Sequence, residues 1–162
     1  METIAVYWES RIKTYGFNKL NNLSLFEFYY PEEKITELGK VLSKANFQDV
    51  KTKFMILQRL NDGISLVFCL SEKDGRVFHA SLRNDLTLKS YKYLYPVGIL
   101  FFHGPHFGDR YGIADAAFSP LLEAGIKIIS SGCSSASIFL VIAEDDLKRA
   151  EEALSKTFDS AK

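Results

Sequence analysis

At 162 residues the chain has room for one ordinary domain or two very small ones, and a 47% hydrophobic content with 13 phenylalanines supplies material for a packed core. Twenty basic side chains balance twenty acidic ones, so no net field draws the chain to nucleic acid or to an anionic membrane, and neither is expected as a partner. The N-terminus lacks the basic-then-apolar order of a leader, and no apolar run is long enough to span a bilayer, so a cytoplasmic location is expected. Cys69 and Cys133 match no metal or redox spacing and are expected as reduced thiols without a disulfide.

In chain order, the first clear element is residues 23–30, short, aromatic and partly alternating, which predicts a half-buried strand stopped by Pro31. Glu32 and Glu33 then suit a helix N-terminus, and Ile35, Leu38, Val41, Leu42 and Ala45 recur at helical spacing, with Asn46 as the stop. Phe54, Ile56, Leu57 and Leu60 precede Asn61-Asp62-Gly63 and the apolar run 64–70, which predicts a hairpin whose turn draws a positive φ from Asp-Gly. A helix of two or three turns is expected within 74–84, with Gly75 weakening it, and a strand at 86–93.

The same order then restarts. Residues 97–103 read as a buried strand followed by a glycine-containing loop, 111–123 as a helix ended by Gly125, 126–129 as a strand, and 137–142 as its hairpin partner. The last helix opens on Glu144, Asp145 and Asp146 and carries Leu147, Ala150, Leu154 and Phe158 as one apolar stripe. Two β-α-β-β-α units are therefore expected, an internal repeat in structure rather than in letters. The first has residues 86–93 for a fourth strand. The second has nothing left after its helix, which would leave a bare sheet edge, so the strand-like residues 4–8 are expected to pair there, making the first unit an insertion within the second.

The segment from Gly104 through Gly108, Asp109, Gly112, Ile113, Ala114 and Phe118, followed by Leu121, Gly125, Ile126, Ile128 and Ser130, resembles the regulatory ACT domains of aspartokinases. The likeness continues through Ser134, Ser135, Ala136, Ser137 and Ile138 into the last helix. The first half matches only in element order, since Tyr30-Pro31-Glu32-Glu33 lacks the glycine-led helix entry. Residues 119–126 are also similar to a stretch of arginine-sensor ACT proteins, and Pro120 there requires either a kink or another donor for its orphaned carbonyl. The resemblance implies an α+β fold of two ferredoxin-like βαββαβ ACT units, antiparallel sheets with helices on one face. Residues 20–94 would form the first, degenerate unit, and 95–162 with a strand at 3–8 the second. It implies regulation rather than catalysis, a small-molecule effector of the amino-acid class, a homodimer and a partner enzyme. No phosphate-binding glycine loop with a lysine is present, and no cofactor is expected.

An amino-acid ligand needs clustered donors for its carboxylate and oxygen acceptors for its ammonium. Backbone N–H groups over Asp109, Arg110, Tyr111, Gly112 and Ile113 lie at the positive end of a helix and suit the first need, with Gly112 admitting close approach. Ser130, Ser131, Ser134, Ser135 and Ser137 on the adjacent hairpin suit the second. Each feature has a plainer reading: the glycines shape a turn, Asp109 caps the helix, the serines form a solvated hairpin, and Asp115 is an exposed helix residue. Ser135 stands where the effector hairpin of aspartokinases often carries an acid or amide, which leaves the ligand open. His103 and His106 have no third ligand and predict no metal site, His79 stands alone, and Cys133 has no neighbouring histidine to make it a nucleophile. Three functions compete: a stand-alone sensor, a dissociable regulatory subunit of an aspartokinase, and an interaction module with a vestigial site.

Overall fold

In the computed structural model, which describes residues 11–44, 50–83, 91–105, 107–134 and 136–160, the chain divides into a contiguous unit, Asn22–Val97, and a split unit made of Met1–Asn21 and Gly98–Lys162. Both boundaries fall inside long strands, β2 (Phe17–Tyr30) and β5 (Tyr91–His103). Asn22, the first residue of the contiguous unit, has a φ of 54°, a left-handed conformation that asparagine tolerates better than most residues.

In the contiguous unit, β2 leads through a 3-10 turn (Glu32–Lys34) into helix α1 (Ile35–Lys44), then strands β3 (Thr52–Leu60) and β4 (Gly63–Ser71), and helix α2 (Glu72–Arg83). The strand order is β3-β4-β2-β5, with β4 antiparallel to both neighbours. Alternate residues of the paired strands point the same way, so the register Phe26↔Phe68 and Phe28↔Leu66 sets one apolar face. Leu38 and Val41 of α1 and Phe78 and Leu82 of α2, spaced three and four apart, close over that face. Phe26, Phe28, Phe68 and Phe78 are fully buried, and Phe26 meets Phe78 edge to face at 5.0 Å, a favoured aromatic geometry.

Two sequence expectations change here. The hairpin forms, with Leu60 opposite Gly63, but Gly63 is not among the residues of positive φ. Glycine stands there because a Cβ would lie 2.4 Å from the Tyr30 carbonyl oxygen. The strands expected at 86–93 and 97–103 also differ: from Tyr91 onward a single strand runs through Pro96 to His103. Residues 84–90 and Asn46 lie outside the described residues.

The split unit holds strand β1 (Ile12–Thr14), the end of β5, helix α3 (Ile113–Glu123), strands β6 (Ser130–Cys133) and β7 (Ser137–Ala143), a 3-10 turn (Glu144–Asp146), helix α4 (Leu147–Leu154) and strand β8 (Phe158–Ser160). β5, β7 and β6 are successive neighbours. Leu100, Phe102, Ile138, Leu140 and Ile142 pack with Ala117 and Leu121 of α3 and Ala150 and Leu154 of α4. The α3 helix continues past Pro120 to Glu123 and closes with Gly125 N–H bonded to the Leu122 carbonyl and Ile126 N–H to that of Leu121, both at 2.9 Å, the paired bonds of a glycine-ended helix.

The end of the chain departs from expectation. Phe158 belongs to β8 rather than to the last helix, and β8 pairs in parallel with β1, Ile12 opposite Phe158, so a strand does follow α4. The pairing segment is Ile12–Thr14; residues 4–8, where it was expected, lie outside the described residues. Ile126 to Ile129 form no strand, β6 beginning at Ser130. The connector is held instead by Ile126, 1% exposed, and by the Ile129 N–H bond to the Val141 carbonyl at 2.8 Å. Among the described residues no helix is long and apolar enough to cross a membrane.

Candidate functional site

The loop expected to hold a ligand carboxylate begins where β5 ends. The His103 carbonyl accepts two hydrogen bonds, from the Thr14 hydroxyl at 2.7 Å and from Tyr15 N–H at 2.9 Å, which fastens the end of β1 to the end of β5. At Gly104 a Cβ would lie 2.4 Å from the Lys13 carbonyl oxygen and 2.5 Å from the Phe107 ring, so only glycine fits. Its N–H donates to the Ala136 carbonyl at 3.2 Å. Phe107 then turns inward and packs on Phe102 and Phe158 at 5.9 and 6.0 Å, anchoring the loop to the core.

Beyond that anchor the chain turns outward. Asp109 is exposed, Arg110 half-buried and Tyr111 93% exposed. Gly112, not Asp109, occupies the cap of α3, with φ 79° and ψ 8° and no side chain capping the helix. Nothing lies within 4 Å of a Cβ built at Gly112, so its backbone demands glycine for conformation while its surroundings are open. The first-turn amides of α3 carry the positive end of the helix dipole. Ile113 packs against the core, and Asp115 accepts a bond from the Ser119 hydroxyl one turn on, at 2.7 Å.

The hairpin is ordered by its register, with Ser130 opposite Val141, Ser131 opposite Leu140, and Ser134 N–H bonded to the Ser137 carbonyl at 2.9 Å. Because sheet side chains alternate, the serines do not form one cluster. Ser131 shares the helix-covered face with core residue Leu140, whereas Ser130 and Ser137 share the opposite face with Phe139 and Val141. Ser134 is exposed at the turn, and Ser135 and His106 lie outside the described residues. The structure thus brings the loop and the hairpin together at Gly104 and Ala136, and leaves Ser131 as the paired hairpin serine on the helix-covered face.

Thr14, Tyr15 and Phe107 position this loop and carry little sequence signal, although an aromatic residue between two loop glycines hints at an inward anchor. Cys133 has its thiol pKa raised by desolvation, the wrong direction for a nucleophile. Among the described residues no group of three or more His, Cys, Asp or Glu side chains could hold a metal.

Residues 103–158, from the last residue of β5 to the first of β8, match the family model of the ACT domain. No curated protein matches the chain in sequence. Among solved structures it is similar to the ligand-free regulatory subunit of aspartate kinase from Thermus thermophilus, with 11% identity and a TM-score of 0.75 over 90% of this chain and 99% of that one. The regulatory subunit from Thermus flavus gives 11% identity and a TM-score of 0.77 over the same shares. E. coli aspartokinase III in complex with lysine and aspartate gives 14% and 0.60 over 88% of this chain and 33% of that one. Identities this low speak for the fold alone. Residues 103–158 thus match the ACT domain, within a chain whose fold is similar to that of aspartate kinase regulatory subunits.

Proposed function

We propose that the chain is a regulatory module that binds a small effector, an amino acid, and acts as a sensor without chemistry of its own. The observation that carries this reading is the Gly104–Ala136 hydrogen bond inside the ACT match, which ties the start of the loop leading to the Gly112-headed helix to the turn of the serine hairpin. The amides leading into α3, over Asp109 to Ile113, would take the ligand carboxylate, and Ser131 with the carbonyls of the hairpin turn would take its ammonium. On this reading both units are ACT units, the contiguous one inserted into the split one, and two copies pair as a dimer. The division of the chain at 21/22 and 97/98 supports the insertion.

A thermal-shift screen against the twenty amino acids tests the proposal. A ligand at about a hundred times its dissociation constant adds about 2.7 kcal/mol, a rise of several degrees. Gly112→Ala, which meets nothing in the free protein but places a methyl where the ligand would approach, should cost about 1–2 kcal/mol of stability and abolish the ligand-induced rise. If no amino acid raises the melting temperature of the unaltered protein, the sensor reading fails. The alternative, a dissociable regulatory subunit, is favoured by the 99% coverage of two aspartate kinase regulatory subunits; co-purification with an aspartokinase catalytic chain would establish it.

A further inference from the structure

On the contiguous unit, α2 presents Arg76, His79, Ala80 and Arg83 at the i, i+3, i+4 and i+7 spacing of one helix side, and these four with Tyr93 of β5 line a cleft of about 540 Å³. None of them belongs to the loop or hairpin described above. His79 lies face to face on Tyr93, ring centroids 4.1 Å apart, and edge-on to Tyr91 at 5.8 Å. Desolvation and then the charge of Arg83 lower the His79 pKa, so at neutral pH the ring offers a neutral hydrogen-bonding nitrogen. Arg76 is ion-paired to Glu72 one turn back, whereas no carboxylate among the described residues pairs with Arg83. Ala80 stands between the two arginines, and its methyl leaves the space that a longer side chain would fill.

A basic residue in the last turn of a helix is commonly explained by the helix dipole. That accounts for Arg83 but not for a second arginine two turns earlier on the same side with an aromatic stack beside it. Guanidinium forks recognise carboxylate and phosphoryl oxygens in two-point contacts, and Cα atoms seven residues apart stand roughly 10 Å from one another, a span that two long side chains can close around one small anion. We propose that this cleft is an oxyanion site, taking a carboxylate- or phosphate-bearing small molecule between Arg76 and Arg83 against the His79–Tyr93 stack.

The test follows the imidazole resonances of the full chain by NMR at constant pH, with His79 identified by its loss in His79→Gln. Sodium phosphate and disodium succinate are titrated separately against sodium chloride at matched ionic strength. The His79 signal is expected to move saturably with at least one of the two, and the one that acts distinguishes phosphoryl from carboxylate recognition. Arg83→Gln should weaken the response at least about tenfold, the loss of a charge-assisted bond, and Ala80→Leu at its exposed position should remove it while the other histidine signals stay in place. A His79 signal that moves no further with either anion than with chloride, or one that responds with unchanged affinity in Arg83→Gln, overturns the proposal.

Discussion

Cys69 and Cys133 differ in environment far more than in sequence. Cys69 is fully buried in β4, and desolvation pushes its thiol up to about 12, whereas Cys133 sits exposed at the end of β6. A thiol-specific reagent on the native protein should therefore label Cys133 and spare Cys69, both reacting after unfolding. Because the folded pKa of Cys69 lies above the ordinary thiol value of 9.0, deprotonation favours the unfolded chain. The contribution is intact below about pH 9 and is lost as the pH rises toward 12, at up to about 1.4 kcal/mol per pH unit. Urea midpoints measured from pH 8 to 11 should fall, and fall less steeply in Cys69→Ala. The candidate site was only half legible at this scale. Gly112 stands out in the sequence, yet its φ explains it before any ligand does. The serines stand out as a group, yet only the pairing of Ser131 with Leu140 shows that the sheet divides them between two faces.

Elements with their own periodicity were readable. The alternation through Phe26 and Phe28, the helical spacing of Leu38 and Val41, and the run leading to Phe102 each carry enough local information to name a strand or a helix. Elements defined by a distant partner were not. β1 and β8 are three residues each and exist because Ile12 finds Phe158 across nearly the whole chain; no window of sequence contains both. The β-branched run at Ile126 to Ile129 gave the opposite error, since burial in a connector selects the same residues as a strand. Phe158 is the test of this level. It is fully buried against Phe102, Phe107 and Phe17, so Phe158→Ala should cost roughly 3–5 kcal/mol. Amide hydrogen exchange should show protection lost across α3 and α4 while β4 and residues 23–30 of β2, in the contiguous unit, keep theirs. Equal loss in both units would contradict the assignment of two separate cores.

Each unit closes a core from its own residues, one around Phe26, Phe28, Phe68 and Phe78, the other around Phe102, Phe107, Leu140 and Phe158. A chain of residues 22–97 should accordingly show a cooperative thermal transition when expressed alone, followed by circular dichroism; a featureless melt would mean that its core is insufficient. The repeat of element order was legible from the sequence, whereas the positions of the two boundaries inside β2 and β5 were not, because a long strand gives no local mark of where one core ends and the next begins. The pairing of β1 with β8 also orders events in time. As the chain leaves the ribosome, Ile12 emerges early and every residue of the contiguous unit follows before Phe158 is made. The contiguous unit can fold during synthesis, but β1 must wait unpartnered until translation has passed α4. Premature termination anywhere between Val97 and Phe158 would thus release a product with one finished core and one that never closes, the form of this protein most exposed to chaperones and proteases.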